Sequence, residues 1–190
     1  MKTLYLLAGC NGAGKTTAAY ALLPNLLNCR EFVNADEIAR GLSPFQPETV
    51  SIQAGRLMLG RLHELLAAGE SFALETTLAT RIYLPIIAAA REQGYFVDLF
   101  FFWLHSPDLA VERVKSRVRE GGHFIPELTI RRRYEGGLRQ FFQSYRMVVD
   151  SWSFVNNSEG AANLIASGTF GETVVVDADI WLQLTGAYHV

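Results

Sequence analysis

The chain has 190 residues, of which 49% are hydrophobic and 19% charged, a balance suited to a folded globular domain and not to a disordered one. That length buries a core without help from disulfides or a structural metal. A net charge of −2 gives no global basicity of the kind that marks nucleic-acid binders, although fourteen of the seventeen basic residues are Arg.

In chain order, Thr3–Ala8 is a compact apolar run bounded by glycine and reads as a buried strand. It is too short for a signal-peptide core, no later stretch is long enough to span a membrane, and a cytoplasmic location is expected. The two cysteines, Cys10 and Cys29, have neither metal-site nor disulfide-framework spacing. A helix is predicted over Lys15–Leu23, a short strand over Glu31–Asn34, and a long helix from Pro47 to Ala68 with Gly69 after its end. Ser71–Thr76 follows as a strand, Ile82–Gln93 as a helix closed by Gly94, and Tyr95–Leu104 as a strongly apolar strand. Helices are expected over Pro107–Glu120 and Pro126–Val149, joined by GGHFIP. Ser151–Asn156 reads as a last core strand, Asn163–Ser167 and Thr173–Val176 as a hairpin, and a short helix starts at Ala178. Strands alternating with helices imply a mostly parallel, three-layer α/β fold, with residues 1–190 as one domain.

Between the first strand and helix, residues 9–16 read GCNGAGKT, a full match to the phosphate-loop pattern G-x-x-x-x-G-K-[ST]. Gly9, Gly12 and Gly14 let backbone N–H groups turn toward phosphate oxygens at a helix N-terminus. Asn11, Ala13 and Thr17 complete the nucleotide-binding stretch; Lys15 is placed to reach the β- and γ-phosphates, and the Thr16 hydroxyl to sit on Mg²⁺. Cys10 reads as a small packing residue of this loop.

The second strand ends in FVNADEIARGLSP. Asp36 lies just past its C-terminal end, the edge where parallel sheets hold ligands. There it can bind Mg²⁺ or accept a proton from an attacking hydroxyl, or else cap the helix that follows. The third strand ends in ETTLATR, so Glu75, Thr76 and Arg81 are candidates for substrate contact, unless Glu75 only pairs with Arg81 or caps the helix.

Residues 111–133 hold seven basic and three acidic residues, a net of +4 against −6 for the rest of the chain. Arg113 and Arg117 share a helix face, Gly121 and Gly122 supply a hinge, and the triplet Arg131–Arg133 cannot all face one way. Around residues 107–149 this pattern suggests a helical lid over a triphosphate, or a solvated charged face. His123 is either a substrate contact or a turn residue.

Taken together, GCNGAGKTT at 9–17, VNADEIARGLSP at 33–44, ETTLATR at 75–81 and RVKSRVREGGHFIPELTIRRRY at 113–134 resemble the zeta-toxin-like family of P-loop kinases, in a short subgroup with a GGHxIPE lid. The resemblance extends to about Asn157. It implies an ATP- and Mg²⁺-dependent phosphotransferase; zeta toxins act on a hydroxyl of a UDP-activated N-acetyl amino sugar and have antitoxin partners. On that basis Lys15 and Thr16 serve phosphate and metal, Asp36 is the base, Glu75 is a substrate-contacting acid, and Arg113, Arg117, Arg132 and Arg133 are the candidates for gripping the γ-phosphate. FVNNS at 154–158 resembles the family's late strand and turn near the adenine, or is a plain Asx turn. Two other readings fit the same residues: a nucleotide-dependent binding or switch protein, and a metabolic small-molecule kinase with no toxin role. Nucleic acid is disfavoured as a partner, since Phe141, Phe142 and Tyr145 suit helix packing better than base stacking.

Overall fold

A computed structural model describes residues 1–169 and 171–188; the expected domain end at 189–190 lies outside the described residues. Seven strands form one sheet: β1 (Thr3–Ala8), β2 (Glu31–Val33), β3 (Phe72–Thr76), β4 (Phe96–Trp103), β5 (Ser151–Asn156), β6 (Asn163–Thr169) and β7 (Glu172–Val175). Their spatial order is β2-β3-β1-β4-β5-β6-β7. The five from β2 to β5 run parallel, and β6 and β7 add an antiparallel hairpin at the edge. Crossovers go to one side of β1 first and to the other side afterwards, so the chain reverses its winding there. Open α/β sheets bind ligands at the strand C-termini at such a point.

The flanking helices are α1 (Lys15–Leu22), α2 (Ala35–Leu42), α3 (Ser51–Ala68), α4 (Leu84–Glu92), α5 (Pro107–Arg119), α6 (Glu127–Gln143) and α7 (Ala178–Tyr188). Helix α2 was expected only as a helix for Asp36 to cap, without bounds of its own. Its N-cap is Asn34, whose side chain accepts the Asp36 N–H at 2.8 Å, so the cap falls two residues before Asp36. The predicted helix from Pro47 begins as a 3₁₀ turn, Pro47–Val50, and only then becomes α3. The helix expected to reach Val149 stops at Ser144, where φ −137° and ψ −62° leave the helical region; a short 3₁₀ turn, Tyr145–Met147, follows.

Leu4, Leu6, Leu7 and Ala8 of β1 are fully buried, as a central strand requires. Helices α6 and α7 are fastened to β4 and β5 by aromatic packing. Phe141 meets Phe101 and Phe154, each at 5.0 Å between ring centroids, and Trp181 stacks on Trp152 at 5.4 Å. The hairpin approaches equally closely: a Cβ at Gly168 would lie 2.6 Å from the Trp152 ring.

Candidate active site

The loop after β1 takes a shape that its glycines allow. Gly14 caps α1 in a left-handed conformation (φ 84°), and a Cβ there would meet the Asn157 amide at 2.4 Å. That amide donates to the Ala13 carbonyl at 2.8 Å, tying the loop to the end of β5. Arg113 of α5 braces the same junction, donating to the carbonyls of Asn157 (2.9 Å), Ser158 (2.7 Å) and, more loosely, Gly12 (3.4 Å). Ser158 N–H donates to the Asn156 side chain at 3.0 Å, so FVNNS does contain an Asx turn, one that also positions Asn157.

Lys15 is buried; its ammonium donates to the Cys10 carbonyl at 3.0 Å and lies 3.5 Å from Glu75 Oε1. The register Leu7↔Glu75 between β1 and β3 sets that carboxylate beside the loop. Its other oxygen, Oε2, accepts from Thr16 Oγ1 at 2.7 Å and from Asn34 Nδ2 at 2.9 Å. Loop and strand ends are thus joined in one network of hydroxyl, amide, ammonium and carboxylate. Burial pushes the Cys10 thiol up to about 11, against the lowering influence of Lys15 and Arg113, and keeps it protonated.

Two cavities open at this edge. A cleft of about 520 Å³ runs along the phosphate loop and is lined by Gly12, Gly14, Thr16, Thr17, Arg113 and Arg117. A larger cleft of about 700 Å³ lies toward α4 and α6, with Thr76, Thr77, Tyr83, Arg132, Arg133 and Arg139 in its wall. Asn11, Lys15, Asp36 and Glu75 line both, so the two clefts meet at these four side chains.

The basic residues of α5 and α6 have separate surroundings. Arg133 donates to Asn11 Oδ1 at 3.1 Å, while Arg132 is exposed on the wall of the larger cleft. Arg131 faces away, bound to Asp108 (2.6 Å) and Glu127 (2.8 Å). Arg117 lines the loop cleft, its Nη2 donating to the His123 carbonyl at 3.4 Å and its buried Nε without a partner among the described residues. Gly9 and Ala13 of the loop line neither cleft, and two of the substrate-contact candidates also fall outside both. Arg81 donates to Gln140 at 3.1 Å and does not pair with Glu75, and His123 faces Glu48 at 3.7 Å. Thr76 is buried, and its hydroxyl accepts the Leu78 N–H at 2.9 Å. Sequence reasoning passed over Arg139, Glu135 and Tyr83. The helical spacing of Arg132, Glu135 and Arg139 would have put all three on one wall.

Among the described residues no group of three or more His, Cys, Asp or Glu is arranged to hold a metal, and no helix is long and apolar enough to cross a membrane.

A Haemophilus influenzae protein described only as uncharacterized is 31% identical over 126 residues, covering 66% of this chain and 88% of its own. Among solved structures, a chain of the AvrRxo1-ORF1:AvrRxo1-ORF2 complex with sulphate ions superposes with a TM-score of 0.78 at 20% identity. The match covers 97% of this chain and 64% of that one, so this chain spans less than two thirds of it. The same complex with ATP gives a TM-score of 0.76. A chain of the PezAT chromosomal toxin–antitoxin system of Streptococcus pneumoniae gives 0.68 at 16% identity, covering 98% of this chain and 85% of that one. Likeness at such identities speaks for the fold. The zeta toxin family profile matches residues 1–169, most of the length and all of the site just described, and the chain belongs to that family.

Proposed function

We propose that the protein is an ATP-dependent phosphotransferase that moves the γ-phosphate to a hydroxyl of a small molecule. The observation that carries this reading is the junction of the two clefts at Asn11, Lys15, Asp36 and Glu75. A donor in the loop cleft and an acceptor in the larger cleft would face each other there, and phosphoryl transfer needs little beyond such positioning and charge stabilisation.

Each residue then has a task. Loop N–H groups and Lys15 hold the triphosphate. Asp36, at the N-terminus of α2, orients the acceptor hydroxyl and takes its proton. Arg133 and Arg132 face the transferred group from α6, and Arg117 faces the donor from α5. Arg113 keeps the loop in shape through the carbonyls it binds. Helices α5 and α6, with residues 120–126 between them, serve as a lid.

The donor set suits Mg²⁺: the Thr16 hydroxyl and the Asp36 and Glu75 carboxylates are hard oxygen ligands, and Mg²⁺ commonly takes one or two carboxylates plus substrate phosphates instead of a closed protein cage. When bound, it neutralises charge developing on the phosphate oxygens. The zeta toxin family supports a UDP-activated N-acetyl amino sugar as acceptor, an antitoxin as partner and the cytoplasm as location.

A metabolite pool incubated with the protein and γ-labelled ATP, read by mass spectrometry, tests the reaction and identifies the acceptor. Lys15→Ala and Asp36→Asn should each abolish labelling, with Asp36→Asn still binding ATP. Full activity in Asp36→Asn would exclude Asp36 as the base. Expression without an antitoxin separates toxin from metabolic kinase, since harmless expression excludes the toxin role.

A further inference from the structure

Asn11 occupies a variable position of the phosphate-loop pattern, yet it is only 4% exposed. Its side chain points across the site to Arg133, 122 residues away, and accepts Nη1 at 3.1 Å. A guanidinium only donates, so the amide oxygen must face it, with no ambiguity between O and N.

The neighbours of Arg133 fix it from the other side. Tyr134 is anchored by its hydroxyl to the Leu104 carbonyl at 2.7 Å. Three residues further on, Gly137 lets α6 pack so closely on the Thr77 carbonyl that a Cβ there would lie 2.6 Å away. The rotation of α6 is thereby set, and of the three consecutive arginines it is Arg133 that meets the loop. The bond to Asn11 is the one hydrogen bond Arg133 makes among the described residues, so its other N–H groups stay available to an oxygen-rich ligand.

We infer that Asn11 is a positioning residue that holds the Arg133 guanidinium at the junction of the two clefts, ready for the phosphoryl group in flight. An arginine has four rotatable bonds, and fixing them before the reaction removes a reorganisation that would otherwise accompany the transition state. This inference rests on the phosphotransferase reading and deepens it: the loop then supplies alignment of a residue on α6 in addition to its own N–H groups.

A double-mutant cycle tests it, with kcat, acceptor KM and ATP Kd measured for Asn11→Ala, Arg133→Ala and the pair. Asn11→Ala should lower kcat by about 10- to 100-fold, leave ATP Kd within about twofold, and have no further effect once Arg133 is Ala. Asn11→Asp, which keeps an oxygen acceptor, should restore kcat while weakening ATP binding through its charge. Melting curves accompany each variant, and Asn11→Ser, too short to reach Arg133 but still polar, replaces Asn11→Ala if the latter does not fold. Independent, multiplicative losses, an unchanged kcat, or a loss confined to ATP affinity overturns the inference alone. Absence of transfer by the wild-type protein overturns the function and this inference with it.

Discussion

Cys10 shows at single-residue scale how the loop is built. Its thiol lies at the bottom of the phosphate loop, and burial moves it from an ordinary 9.0 to about 11 in spite of two nearby cations. The folded state therefore keeps a proton that the unfolded chain releases from about pH 9 upward, and stability must fall with rising pH across that window. The loss between pH 9 and 11 should approach about 2–3 kcal/mol. It should be absent in Cys10→Ala, as measured by urea unfolding of both proteins at pH 7, 9 and 10.5. Tyr145, whose buried phenol is pushed up to about 12, adds a slope of its own from about pH 10, which the comparison cancels. Glu75 carries a different lesson. A charged residue closing an apolar strand was visible in the sequence, but its partners were not. Thr16 is 59 residues away and Asn34 is 41, and only the β1–β3 register brings them to one carboxylate.

At the scale of elements, the strands and most helices were legible because buried parallel strands read as short apolar runs and the helices carry glycine or proline at their ends. Helix α2 was legible only as a helix for Asp36 to cap, because its eight residues follow β2 at once, with Asn34 between them as the cap. The site was legible where residues adjoin in sequence, as in the loop. It was hidden where α5 meets the turn after β5, since nothing local tells Arg113 that the Asn157 and Ser158 carbonyls will face it. The α6 interface is packed with aromatic rings. Phe141 is fully buried and touches the rings of Phe101, Phe142, Trp152 and Phe154. Phe141→Ala should therefore cost about 3–5 kcal/mol of stability, seen as a lower urea midpoint. Through loosening of α6 it should lower activity more than ATP affinity.

For the whole molecule, the charge count of residues 111–133 overstates the basic surface. Arg131 is neutralised by Asp108 and Glu127, Lys115 lies 3.3 Å from Glu127, and Arg113 is spent on carbonyls. Of what remains, Arg117, Arg132 and Arg133 line the two clefts and Arg119 lies outside both, a distribution that fits a small anionic ligand better than a polyanion. ATP at a hundred times its Kd should add about 2.7 kcal/mol, or about 5–11 °C of thermal midpoint for a chain of this size. Lys15→Ala should lose most of that shift in a melting assay. The sheet order has one more consequence. Strand β1 is flanked on both sides by buried parallel strands, whereas β7 forms an exposed outer edge. Hydrogen–deuterium exchange should find the amides of residues 4–8 opening only with the whole molecule and those of β7 opening by local fraying. The nucleotide loop would then spring from the segment that is last to let go, and partial unfolding at the far edge would leave it standing.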